Sequence, residues 1–189
     1  MLHPFTDRFV RSSGSLEIWE RINSEGAKVQ GIEVDTAIRP FSQIEIRGGL
    51  TYKQSKYDSP LEDYNTTNFL RTPDMYGYVH TSYDITPDIS FFASANFTGE
   101  ADIPHEVPIE GQEEPDLILE QGDSFLQLDA GLSYELPMFK SIGIILNLGV
   151  KNLTDAYQKD LDKTADRDPA YVYGPQLPRR FYCGLDVSF

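Results

Sequence analysis

The sequence predicts an all-β chain: an antiparallel up-and-down transmembrane β-barrel segment of about eight strands. Three observations carry this reading. Apolar and charged residues separate with a two-residue period along most of the chain. The segments that do so run about nine to twelve residues, whereas strands of globular domains average about 5–6. Short and long connections alternate between them.

The elements follow in order. One strand is expected near Phe5–Arg11 and a second in Leu16–Ile22. Ile32, Val34, Thr36 and Ile38 then alternate with Glu33 and Asp35 within Val29–Arg39. The sequence leaves open whether Leu16–Ile22 runs on into Val29–Arg39 through a bulge at Ser24–Ala27, and the count of eight takes them as one. In residues 43–53, Ile44, Ile46, Gly48, Leu50 and Tyr52 oppose Glu45, Arg47, Thr51 and Lys53. Residues 75–85 set Met75, Val79, Thr81, Tyr83 and Ile85 against Tyr76, Tyr78, His80, Ser82 and Asp84. Ile89, Phe91, Ala93, Ala95 and Phe97 form the next face. Leu126, Leu128, Ala130, Leu132 and Tyr134 oppose Gln127, Asp129, Ser133 and Glu135, and Ile142, Ile144, Leu146, Leu148 and Val150 follow. The chain ends on Phe181, Cys183, Leu185, Val187 and Phe189, opposite Arg180, Tyr182, Asp186 and Ser188. Such alternation places each set on one face of a strand.

Three short connections each hold a proline: Arg39-Pro40-Phe41-Ser42, Ile85-Thr86-Pro87-Asp88 and Leu136 to Ser141. Proline suits turns and interrupts strand pairing. Three long polar connections, roughly 55–72, 100–123 and 153–177, separate them. Each period of about 50 residues is thus one hairpin. A propeller blade has a similar period but needs four strands in it.

The environment follows from what the apolar faces omit. None of the apolar-face positions named above is Asp, Glu, Lys or Arg. A Lys or Arg at the bilayer midplane costs about 2–4 kcal/mol, and tilted strands of about 9–11 residues span a bilayer. Tyr52 lies near one end of the apolar faces, and Tyr83, Tyr134 and Phe189 near the other, as in the aromatic girdles of outer-membrane barrels. A soluble β-sandwich acting as a binding module also alternates, but its strands are shorter. A complete eight-stranded barrel with a structural or adhesive role is the other membrane alternative.

Composition narrows the function further. The 189 residues carry 16 Lys plus Arg against 30 Asp plus Glu, a net charge of −14. Phosphate backbones would repel such a chain, so nucleic acid is not an expected partner. The single cysteine, Cys183, rules out an internal disulfide and cysteine-rich zinc sites. Phosphate-binding glycine loops, Gly-x-Ser-x-Gly elbows and His-Glu-x-x-His motifs are absent. No catalytic residue and no enzymatic activity are expected. His3, His80 and His105 are scattered, with His80 on a polar face.

The closing segment carries a resemblance. Val150-Lys151-Asn152-Leu153-Thr154-Asp155-Ala156-Tyr157, then Tyr173-Gly174-Pro175, then Pro178-Arg179-Arg180-Phe181 onward to Phe189, resembles the end of TonB-dependent outer-membrane receptors. That family has an Asn-Leu-Phe-Asp-like stretch on its penultimate strand and ends with Pro-Arg, an alternating strand and a terminal aromatic. Gly26 to Val34 is similar to a stretch in the second half of the family's barrel. The wording from Asp160 to Pro175 is most similar to receptors of Bacteroidetes. Thr154 departs from the pattern, where the family commonly has a large residue.

The resemblance implies a 22-stranded barrel preceded by a signal peptide, a TonB box and a plug domain, and it implies energised import of a scarce ligand such as a ferric siderophore, haem or cobalamin. Met1 to Arg8 lacks the basic-then-apolar pattern of a signal peptide, and no plug is recognisable. The chain therefore reads as the C-terminal third of such a receptor in the Gram-negative outer membrane. Its implied partners are outer-membrane lipid and lipopolysaccharide, the barrel-assembly machinery and, through a plug on the full-length receptor, TonB. Phe181, Leu185, Val187 and Phe189 would form the assembly signal.

The one sharp charge feature is the connection from Glu100 to Asp123, with nine carboxylates and no Lys or Arg. It reads first as a solvated surface loop. Its metal-binding reading places calcium, a hard cation that takes oxygen ligands, among Glu106, Glu110, Glu113, Glu114 and Asp116, without the spacing of an EF-hand. No other cofactor is expected.

Overall fold

The structure, a computed structural model, describes residues 5–13, 16–23, 26–109, 115–136, 142–163 and 167–189. It is built from antiparallel strands. β1 (Phe5–Ser13) and β2 (Leu16–Asn23) pair as a hairpin. β3 (Ala27–Phe41), β4 (Ile44–Leu61), β6 (Met75–Thr86), β7 (Ile89–Thr98), β10 (Phe125–Glu135), β11 (Gly143–Lys151) and β12 (Arg180–Ser188) follow one another across a single sheet, with β5 (Thr66–Asn68) folded onto β4. β8 (Ala101–Val107) and β9 (Asp116–Gly122) make a separate two-stranded sheet. β3 and β12 stand at the two ends of the main sheet.

Leu16–Ile22 does not run on into Val29–Arg39: Gly26 adopts φ +112° between β2 and β3, a backbone that L-residues rarely reach. The main sheet holds eight strands with β5 included, and the β1–β2 hairpin stands as a sheet of its own.

Two expectations are corrected. Pro40 lies in the last residues of β3 rather than in the turn, which falls at Ser42 and Gln43. The β3–β4 register slips between Ile38 and Phe41, and such a bulge accommodates a residue without an N–H. The long connections are also far from structureless. β4 continues to Leu61, β5 returns against it, and the acidic 100–123 stretch folds as the β8–β9 hairpin. The third short connection, 137–141, lies outside the described residues, but Leu136 N–H bonds the Ile144 carbonyl across it at 2.8 Å.

Register converts the alternation into two continuous faces. Thr36 pairs with Gly48, Gly48 with Val79, Val79 with Ala95 and Ala95 with Leu128. Leu132 pairs with Leu148, and Leu148 with Cys183. Directly opposed residues share a face, so one apolar surface runs across seven strands. It is bare: Ile32 is 71% exposed, Leu185 61% and Phe181 81%. Cys183 is exposed on the same surface. A bare apolar face this wide needs an apolar solvent.

The opposite face is polar and internally bonded. Glu45 accepts hydrogen bonds from Arg39 and Arg47. The Tyr78 hydroxyl donates to Asp35 at 2.9 Å. Asn147 donates to Asp186 at 2.6 Å and accepts from Ser133 at 2.5 Å. His80 lies on this face with its ring 4.9 Å from that of Tyr78. Large rings lie flat on it: Tyr78 covers Gly49 and Phe92 covers Gly131, each directly across the ladder. A side chain at either glycine would push the ring off the wall.

Candidate functional site

The long connections gather at one end of the sheet, and the buried side chains of the described residues lie mainly there. Asn152 is the hub. It is 2% exposed and sits at φ +53°, just past the end of β11. Its N–H donates to Asp129 at 2.8 Å. Its side-chain amide donates to the carbonyls of Ala156 and Leu177 at 2.9 and 3.0 Å and accepts from the Ala156 N–H at 2.9 Å. Leu153 N–H bonds the Leu128 carbonyl at 2.6 Å. Asp155 accepts from Arg179 N–H at 2.9 Å, and Arg179 Nε donates to the Leu153 carbonyl at 3.0 Å. The Asn-Leu-Thr-Asp and Pro-Arg stretches thus fasten both ends of the β11–β12 connection to each other. Thr154, the departure from the family wording, uses its hydroxyl to bond the Leu126 carbonyl at 2.7 Å.

Beyond this hub an aromatic and carboxylate cluster forms. Gln158, 8% exposed, bridges the Tyr171 carbonyl and the Tyr173 N–H. The hydroxyls of Tyr171 and Tyr173 both donate to Asp160, at 2.6 and 2.8 Å. From the β8–β9 hairpin, the His105 ring stacks on Tyr171 at 3.8 Å and 10°. His105 Nε2 lies 3.0 Å from Asp162. His105 Nδ1 is buried with no hydrogen-bond partner among the described residues. Glu106 N–H donates to Asp168 at 3.1 Å.

Electrostatics follow from these contacts. Burial and the bond to Asp160 raise the Tyr171 phenol, and the same causes push Tyr173 up to about 12. Burial alone would raise Asp160, but hydrogen bonds from Tyr171 and Tyr173 more than offset it and hold the carboxyl below its usual range. The bond from His105, then that from the Asp168 backbone, lowers Asp162.

A phenol raised on folding adds stability below its unfolded pKa, and that stability is lost as pH rises through the folded value. With the unfolded phenol near 10 and Tyr173 at about 12, the cluster is expected to hold through the first value and to loosen near the second. Ultraviolet titration of tyrosinate should show the Tyr173 step missing from the ordinary range near 10 and moved part of the way back towards it by Asp160→Asn, which removes the carboxylate but not the burial. A Tyr173 step in the ordinary range in the unaltered protein would contradict the cluster.

Between this cluster and the sheet lies a cavity of about 450 Å³, bordered by Arg71, Ile103, Phe125, Gln127, Val172 and Tyr173, with Gly174 and Pro175 at its edge. Gly174 has φ +77° and the Phe125 ring lies where a side chain would stand. The Tyr-Gly-Pro stretch thereby closes one wall of the cavity.

Of the carboxylates expected from the sequence to hold a metal, the two that are described lie on the β8–β9 hairpin. Glu106 is in β8 with its residue exposed, and Asp116 opens β9 opposite Val107. Glu110, Glu113 and Glu114 lie outside the described residues. Among the described residues no three His, Cys, Asp or Glu side chains come together as a metal site. Phe181, Leu185 and Val187 lie on the apolar face of β12, and Phe189 is fully exposed just beyond it. Arg71 and His105 join the cluster without any local sequence pattern that assigns them there. The only signal at Asn152 is the family-like wording around it.

An apolar outer face, a polar inner face, short turns at one end and folded long connections at the other define the wall of a transmembrane β-barrel. The family model described as TonB dependent receptor-like, beta-barrel matches residues 5–153, and the chain belongs to that family. Its members are transporters, not enzymes. Among solved structures, the chain is similar to the ferric-catecholate import receptor Fiu of E. coli K12. The closed form matches at 21% identity with a TM-score of 0.57, covering 87% of this chain and 22% of that one. The open form matches at 23% identity and a TM-score of 0.57, covering 89% and 22%. The siderophore receptor PiuA from Acinetobacter baumannii matches at 19% identity and a TM-score of 0.53, covering 73% and 19%. These likenesses show a common fold, and the chain spans about a fifth of the length of the structures it matches. No protein of curated function matches it.

Proposed function

We propose that this chain is the C-terminal wall of a TonB-dependent outer-membrane receptor for energised uptake of a scarce ligand, with a ferric siderophore, haem and cobalamin as the candidate classes. The observation that carries the reading is the continuous apolar face over seven strands, opposed by a bonded polar face and capped at one end by folded connections. In this orientation the long connections are extracellular and contribute to ligand capture, while the short turns face the periplasm. Energy coupling belongs to a plug engaged by TonB, and the apolar face meets outer-membrane lipid, with lipopolysaccharide around the outer rim. Uptake of labelled ferric siderophore, haem and cobalamin should be compared in cells with and without the receptor gene, and with and without TonB. Loss of one ligand's uptake in both deletions is expected. Unchanged uptake of all three would overturn the proposal.

Assembly carries its own prediction. Among the described residues β12 pairs with β11, and Phe189 lies exposed just beyond its end. Strand addition to the edge of β12 is how an insertion machine would read Phe181, Leu185, Val187 and Phe189. Deleting Phe189 from the receptor should cut its outer-membrane level several-fold while leaving its export unchanged. Loss of an interfacial anchor alone would cost on the order of 1–2 kcal/mol, so normal outer-membrane levels would leave only the anchor role.

A further inference from the structure

The β8–β9 hairpin has an open edge on each of its two strands, and the edge on β8 is where the other two long connections attach. Backbone groups of alternate residues point to opposite edges of a strand. At the edge of β8 turned away from β9, the Asp102 carbonyl accepts from Arg71 N–H at 2.7 Å, and Glu106 N–H donates to Asp168 at 3.1 Å. Pro104 lies between them at the same parity, where a missing N–H removes no ladder bond. The open edge of β8 is thus occupied from both sides.

Arg71 closes the arrangement. It comes from the connection between β5 and β6 and holds φ +56°, a conformation strained for arginine. Its N–H reaches β8, while its guanidinium donates to the carbonyls of Ala170 and Val172 at 2.6 and 3.1 Å in the β11–β12 connection. The Asn68 amide adds a bond to the Asp102 carboxylate at 2.9 Å. One residue therefore touches all three long connections.

We propose that the described residues of the three long connections form one body that moves as a unit, with β8 as its spine and Arg71 as the positioning residue that joins it. Displacing any one connection then displaces all three. The inference stands on the geometry of the connections and holds whichever ligand the receptor takes, so a failed uptake assay leaves it untouched.

Hydrogen exchange on the full receptor in outer membranes tests it, read on peptides covering 68–74, 101–107 and 168–173. In the unaltered receptor the three segments should exchange at a common rate under conditions where opening limits exchange. Arg71→Ala should raise exchange about tenfold or more in all three. Arg71→Lys keeps the charge but loses the fork to two carbonyls, and should behave like Ala. Three distinct rates in the unaltered receptor, a change confined to 68–74 in Arg71→Ala, or full protection in Arg71→Lys would each overturn the proposal. If Arg71→Ala fails to insert, the rates of the unaltered receptor decide alone.

Discussion

A receptor carrying Val79→Arg is expected to fold less stably by about 2–4 kcal/mol and to reach the outer membrane at a reduced level, while His80→Arg, one residue along the same strand, is expected to fold as the unaltered receptor does. Val79 is 47% exposed on the apolar face, between Gly48 on β4 and Ala95 on β7. That row lies between the level of Tyr52 and Met75 and the level of Tyr83 and Phe91, so it falls mid-depth in the hydrocarbon. Arginine there costs about 2–4 kcal/mol, a large share of the stability of most domains. His80 faces the other way, paired with Arg47 and Ser94, where a charge stays in water. The folded fraction, read by urea titration into lipid vesicles, separates the two variants. Equal tolerance of arginine at both positions would remove the two-faced wall, and with it the membrane reading.

The second large effect is at Asn152. Asn152→Leu strips the N–H of Ala156 and the carbonyls of Ala156 and Leu177 of their part-buried bonds, at the low end of about 1–3 kcal/mol for each group left unsatisfied. It also places a branched residue at φ +53°, where an L-residue costs roughly 1–2 kcal/mol. A local opening easier by on the order of 4 kcal/mol is expected from these two contributions. Trypsin cleavage at Lys159 and Lys163 under native conditions reads that opening. Asn152→Gly loses the same bonds but relieves the backbone, so it should be cleaved more slowly than Asn152→Leu. Cleavage at the unaltered rate in Asn152→Leu would show that the β11–β12 connection is fastened elsewhere.

The wall is legible in the sequence because each strand solves the same two-solvent problem. Ile44 to Tyr52, Met75 to Ile85 and Phe181 to Val187 separate their faces, and their ends fall within a residue or two of β4's start, β6 and β12. The loop layer is legible only in part. Ile103, His105 and Val107 alternate with Asp102, Pro104 and Glu106, yet nine carboxylates and three prolines disguise the period as that of a solvated loop. His105 reads as scattered because Asp162 and Tyr171 lie more than fifty residues away in the chain. Arg71 leaves no signal at all, since its partners are backbone groups, which every residue carries. Asn152 and Arg179 are visible as family wording, but the bonds that explain the wording appear only when the strands are paired.

Ile103, Phe125 and Tyr171, the buried apolar side chains of the described residues, all belong to the loop-bearing end, whereas the wall turns most of its apolar side chains outward. Water drives burial in the first, and hydrocarbon surrounds the second. The aqueous drive weakens on cooling, while strands whose backbone bonds are closed within the sheet have no competing water in the bilayer. Chilling should therefore slacken the loop-bearing end while the wall stays intact. On a falling temperature ramp, amide protection should be lost first around Ile103 and Tyr171 and last along the paired strands.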